Sequence, residues 1–118
     1  MSDRGEAPGS RSADGSAAVR PTDPELTVVI PTLGREILRE ALAALATGDV
    51  QPARVVVVHQ GEDARVAGWA AGAPEGLDVR YVRSDRRGRA AGVNRGVAEC
   101  RTRFVAITDD DCLAHASW

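Results

Sequence analysis

The sequence predicts an α/β fold: a Rossmann-like, mainly parallel sheet of about four strands with helices on both faces. Three observations predict it. Four short apolar runs alternate with three stretches of helical periodicity. The principal runs are continuously apolar rather than alternating, as strands buried on both faces require. Each unusual polar cluster directly follows one of these runs, where open parallel sheets place their ligands.

The elements follow in order. Residues 1–25 are rich in Gly, Ser, Pro, Ala and charge and show no periodicity. Such a segment buries too little apolar surface to offset its ordering entropy, so a disordered tail is expected there. Leu26–Ile30 (LTVVI) is the first strand, stopped by Pro31-Thr32-Leu33-Gly34. A helix is expected over about 35–46, where Leu38, Ala41, Leu42 and Leu45 form one stripe. Arg54–His59, with four consecutive valines, is the second strand. Gln60-Gly61-Glu62-Asp63 turns the chain into a weaker helix over 64–73, with Val66 and Trp69 inward. Val79–Val82 is short and partly polar, which suits an edge strand. A third helix over 90–100 should bury Ala90, Val93 and Val97. Arg103–Thr108 is the fourth strand; it reads as a central one, apolar on both faces. With no further strand beside it, its outer edge would stand open to aggregation.

Composition narrows the function classes. The chain has 118 residues, 43% apolar and 27% charged, as befits one small globular domain. All fifteen basic residues are arginine, and the net charge is −2. Beyond residue 25 the charges balance, so nothing argues for bulk binding to nucleic acid. No apolar run reaches transmembrane length and no signal-peptide core follows Met1, so a cytoplasmic protein is expected. The two cysteines, Cys100 and Cys112, are read as packing residues rather than a disulfide. Cys112 and His115 alone supply too few ligands for a zinc site.

The chemistry gathers after the fourth strand, at Asp109-Asp110-Asp111. Adjacent carboxylates repel one another unless something positive sits among them. A hard cation, Mg²⁺ or Mn²⁺, is one answer; a solvated acidic loop, or a helix cap by the last Asp, is the other. Residues 80–103 carry eight arginines against Asp85 and Glu99. Arg86, Arg87 and Arg89 lie in or beside the loop after the third strand. Guanidinium forks suit phosphate oxygens, although any one arginine can equally serve a solvated face. Neither a G-x-G-x-x-G nor a Walker A pattern is present, which disfavours NAD and P-loop chemistry. The chain also lacks the lysine-bearing phosphate loop expected of a nucleotidyltransferase.

Four segments together resemble family-2 glycosyltransferases: LTVVIPTLGR (Leu26–Arg35), RVVVVHQGE (Arg54–Glu62), GRAAGVNRG (Gly88–Gly96) and FVAITDDD (Phe104–Asp111), with Trp118 matching a Trp often found shortly after. The resemblance covers about residues 26–118. It implies a partial GT-A fold and a metal-dependent, inverting transfer of a sugar from a nucleotide diphosphate sugar to an acceptor. Carried over, Pro31, Thr32 and Arg35 would line the nucleotide pocket, Asp109 and Asp110 would lie on the donor side, and Asp111 would contact Mn²⁺ or Mg²⁺. Arg86 and Arg87 are further candidates for the diphosphate. His59 stands where the family usually has an acid that accepts the N3–H of a pyrimidine. Its imidazole could accept, donate, or be a buried structural group, so a UDP, dTDP or GDP donor stays open. The acceptor would be a saccharide or a lipid-linked molecule, which leaves peripheral contact with a membrane open.

The family's acceptor half and its usual catalytic base lie downstream of the D-x-D segment, and no residue here matches that base. The expectation is therefore the donor-binding half of a glycosyltransferase, in a C-terminally incomplete chain inactive by itself. The competing expectation is a non-catalytic nucleotide-binding module that acts with a partner.

Overall fold

The computed structural model describes residues 20–118. Seven elements alternate along the chain: β1 (Thr22–Thr32), α1 (Leu38–Ala46), β2 (Gln51–His59), α2 (Arg65–Ala71), β3 (Val79–Arg83), α3 (Arg89–Ala98) and β4 (Phe104–Ile107). All strand pairs are parallel, and the sheet order is β3-β2-β1-β4. The predicted α/β architecture is the one found.

Strand order explains the layers. From β1 the chain steps outward through β2 to β3, then returns across the sheet through α3 to place β4 on the other side of β1. Right-handed crossovers that run in opposite directions put their helices on opposite faces. On one face Leu38, Leu42 and Leu45 of α1 and Val66 of α2 pack on Val28, Ile30, Val55 and Val57. On the other, Val29, Val56, Val58 and Val82 form a smaller cluster with Cys100 and Val105 against it. The continuous valine runs are legible here: consecutive residues face different layers, and both layers are dry.

Helix α3 corrects an expectation. Its buried residues are Gly92 and Gly96, not Ala90, Val93 and Val97, and Val97 is 43% exposed. A Cβ on Gly96 would overlap the Val29 side chain and lie 3.1 Å from Val58 Cγ2. Here the helix backbone itself approaches the sheet, so glycine replaces the apolar stripe at the contact.

The strands are also longer than their apolar cores. β1 begins at Thr22, because Thr22 pairs with Gln51 and Asp23 with Pro52 before the register shifts towards Thr27. The expected disordered tail thus loses residues 22–25 to a strand, and residues 1–19 lie outside the described residues. β3 is an edge strand, as expected. β4 is not central: it forms the opposite edge, paired only to β1 among the described strands, and Phe104 and Ile107 are 51% and 44% exposed.

Candidate functional site

The strands are all parallel, and the order in which they are laid down reverses between β1 and β4; the C-terminal ends of these two strands open into a crevice there. Pro31, Thr32, Leu33, Arg35, Gln60, Gly88, Arg89, Asp109, Asp110 and Asp111 line this cleft, about 440 Å³ in volume. A groove of about 600 Å³ between α1 and α2 is larger. It is built from helix surfaces, however, and its Arg39 and Glu36 neutralise one another at 3.1 Å.

The ladder with β2 runs through Pro31 to the Thr32↔His59 pair rather than stopping at the proline, and Gly34 then turns the chain with φ 110°, a conformation that favours glycine. Helix α1 starts at Leu38, later than the expected 35, so Arg35 sits in the turn with its side chain free to reach the acids. Arg35 pairs with Asp110 through Nη2 and Nε, and Nη2 also lies 3.3 Å from Asp111 Oδ2. These bonds hold its guanidinium protonated even more firmly than usual. Thr32 Oγ1 donates to Asp110 Oδ2 at 2.7 Å and accepts from the Gly34 amide at 3.0 Å. Asp110 is 4% exposed. It is therefore a satisfied, buried brace between β1 and the turn after β4.

Asp109 pairs with Arg89, the first residue of α3. The three acids are thus compensated by Arg35 and Arg89. Asp109, Asp111 and Cys112 present ligand atoms within 4.8 Å of one another. The two carboxylates suit a hard divalent cation that keeps waters and takes phosphate oxygens; the thiol is the soft member of the set. Asp110 is committed to Thr32 and Arg35 and does not belong to it.

The structure brings Pro31, Thr32, Arg35, Asp109, Asp110 and Asp111 together in one cleft. It leaves three expected contacts off its lining. His59 is 2% exposed. Its Nδ1 is hydrogen-bonded to the Tyr81 hydroxyl at 2.7 Å, and its Nε2 is buried without a partner among the described residues, near where a Gly34 side chain would be. Desolvation, then the charge of Arg83, pushes the His59 pKa below its ordinary value, so the ring is a neutral buried group. Arg86 and Arg87 are exposed on the loop and do not line the cleft. Leu33, Gln60 and Gly88 line the cleft without having been singled out, and of the three arginines grouped in the sequence only Arg89, the first helical residue after a glycine, reaches it.

The model of the glycosyl transferase family 2 matches residues 27–118. The chain belongs to that family. Comparison with curated proteins and with solved structures gave no significant match. Family 2 accounts for the order of the motifs: the match begins within β1 and runs through the acidic turn to Trp118. Among the described residues, no helix is long and apolar enough to cross a membrane.

Proposed function

We propose that this family-2 chain binds the nucleotide diphosphate sugar of a metal-dependent, inverting glycosyl transfer. One observation carries the reading. Two arginines and three carboxylates meet in a single cleft at the β1/β4 reversal, beside the N-terminus of α3. A diphosphate offers what this arrangement is built to divide: oxygens for guanidinium forks and oxygens for a shared divalent cation.

Asp109 and Asp111 would hold Mn²⁺ or Mg²⁺. When bound, the cation would neutralise the diphosphate as negative charge grows on the leaving group. The protein's own residues do the rest. Arg35 gives up Asp111, and Arg89 gives up Asp109, for phosphate oxygens. Thr32 and Asp110 keep Arg35 in place, so Thr32 serves as a support, its hydroxyl already engaged. Pro31 and the exposed Leu33 form the wall against which the nucleoside rests. In the transfer an acceptor oxygen bonds to the anomeric carbon on the face opposite the departing nucleoside diphosphate. All three cleft carboxylates are paired with arginine, so we assign none of them as the base. The two free thiols, Cys100 and Cys112, fit a reducing, cytoplasmic setting.

Calorimetric titration with UDP, dTDP and GDP, each with and without Mn²⁺, tests the reading. The wild-type chain should bind at least one of them only when the metal is present. Asp111→Asn should remove the metal dependence, because it removes a charged ligand. Binding that ignores the metal, or is the same in the variant, would overturn the proposal.

A further inference from the structure

The loop that carries the chain into α3 is held by one side chain. Gln60 is buried at the end of β2, and its backbone amide donates to Thr32 O at 2.8 Å, joining β2 to the β1 turn. Its side-chain amide nitrogen donates twice, to Arg86 O at 3.0 Å and to Gly88 O at 2.8 Å. A side-chain NH₂ has two donors, and both are used. The same loop is tied back a second time: Ser84 N donates to His59 O at 2.9 Å, and Arg86 N to Ser84 Oγ at 3.3 Å.

Two glycines permit this clamp, one by its backbone and one by its missing side chain. Gly88 adopts φ 96°, turning the chain sharply into the helix. Gly92 lies against the Gln60 amide: a Cβ there would be 2.6 Å from Gln60 Oε1. The next residue after the clamped carbonyl of Gly88 is Arg89, which reaches Asp109 in the cleft. Among the described residues no side chain caps α3, so its first amides are left for an external acceptor.

We propose that Gln60 is a positioning residue for the donor diphosphate. Its amide fixes the start of α3 and Arg89 at the cleft: it covers the Arg86 carbonyl and gives the Gly88 carbonyl a second donor beside the Gly92 amide. This rests on the donor-binding reading above. A glutamine is required because only an uncharged group with two donors can meet two carbonyls. Glutamate, of the same size, would set a carboxylate against both acceptors and add negative charge beside the phosphates. Methionine, of similar length, would keep the packing and lose both bonds.

The test uses the full chain with Gln60→Met, Gln60→Glu, Gly92→Ala and the Gln60→Met/Gly92→Ala pair. Amide hydrogen exchange is followed in the free protein, and affinity for UDP, dTDP and GDP with Mn²⁺ is measured by calorimetry. Losing two neutral hydrogen bonds predicts exchange at the Arg86 amide and over residues 92–95, where the first hydrogen-bonded amides of α3 lie, on the order of ten-fold faster in Gln60→Met, with β2 and β3 unchanged. Affinity for the bound diphosphate should weaken by roughly ten-fold in Gln60→Met and by more in Gln60→Glu. Gly92→Ala displaces the same amide, so it should reproduce the loss and add little in the pair. Exchange that stays slow at Arg86 and residues 92–95, or a loosened loop with unchanged affinity, would overturn the positioning role while leaving donor binding intact. Exchange that accelerates equally in β2 and β3 would make Gln60 a general stabiliser and also overturn it. A wild-type chain that binds none of the three diphosphates would remove the donor reading, and this role with it.

Discussion

Thr32 Oγ1 and Asp110 Oδ2 are 2.7 Å apart and 78 residues apart in sequence. This bond links the end of β1 to the turn after β4 across the reversal of the sheet. The carboxylate it braces is buried, and Arg35 supplies its remaining partner.

Thr32→Val should therefore destabilise the fold without changing its shape. The substitution is nearly isosteric but leaves one buried carboxylate oxygen without its hydroxyl donor. The expected loss is about 1–3 kcal/mol, read as a lower urea midpoint at unchanged slope. A midpoint equal to wild type would mean that Asp110 is satisfied by Arg35 alone.

Arg35 and a cation compete for Asp111, since the guanidinium lies 3.3 Å from its Oδ2. Arg35→Gln should let Mn²⁺ alone bind more tightly, on the order of a few-fold, as the carboxylate loses a positive competitor. The same variant should bind nucleoside diphosphates more weakly, because a phosphate partner is lost. Mn²⁺ titration by electron paramagnetic resonance, beside nucleotide calorimetry, reads both signs. Movement of the two affinities in the same direction would exclude the exchange of partners.

His59 gives a pH dependence with a definite sign. Its folded pKa lies below 6.5, mainly through desolvation and then Arg83, with Asp63 and Glu62 acting the other way. The unfolded chain therefore takes up the proton first as pH falls below 6.5. The stability contributed by the neutral ring is present above that pH and is lost as pH falls towards the folded pKa. The slope is at most about 1.4 kcal/mol per pH unit. His59→Leu should flatten the fall in melting temperature between pH 7 and 5 relative to wild type. An unchanged slope would assign it to the carboxylates instead.

Two glycine substitutions should have opposite effects. Gly96→Ala forces a methyl into Val29 and should cost about 1–3 kcal/mol. Gly68, in α2, has nothing within 4 Å of its would-be Cβ, so Gly68→Ala should gain about 0.5–1 kcal/mol. Thermal melts of the two variants check the signs.

These residues also mark what was legible in the sequence. The two inner strands were, because Val28–Ile30 and Val55–Val58 are buried on both faces and leave unbroken apolar runs, whereas the apolar run of β4 concealed an edge strand with Phe104 and Ile107 exposed. The acid cluster and its place after the last strand were legible too, and so was Arg35. The inner face of α3 was not. Periodicity reports apolar side chains, and this helix packs through the absence of side chains at Gly92 and Gly96. The start of β1 at Thr22 was hidden because its pairing with Gln51 involves polar residues. Gln60 escaped, and Arg89 was not told apart from Arg86 and Arg87, for a related reason. Their roles depend on partners 20 or more residues away, namely Arg86 O, Gly88 O and Asp109. A window along the chain holds no trace of such pairs.

The sheet order has a consequence for how the protein is made. β4 pairs with β1 from Leu26↔Phe104 to Val29↔Ile107, so the two walls of the cleft come from opposite ends of the match to the family. No part of Asp109–Asp111 can meet Thr32 or Arg35 until that last strand has docked. Contacts of such large sequence separation form slowly, since loop closure precedes their reward. A nascent or partly folded chain that has only β1, β2 and β3 in place therefore has an aliphatic core but no cleft, and it bares the edge of β1 to any other strand. The acquisition of binding competence and the disappearance of that vulnerable edge are one event, so the appearance of nucleotide binding during refolding should report the closing step itself.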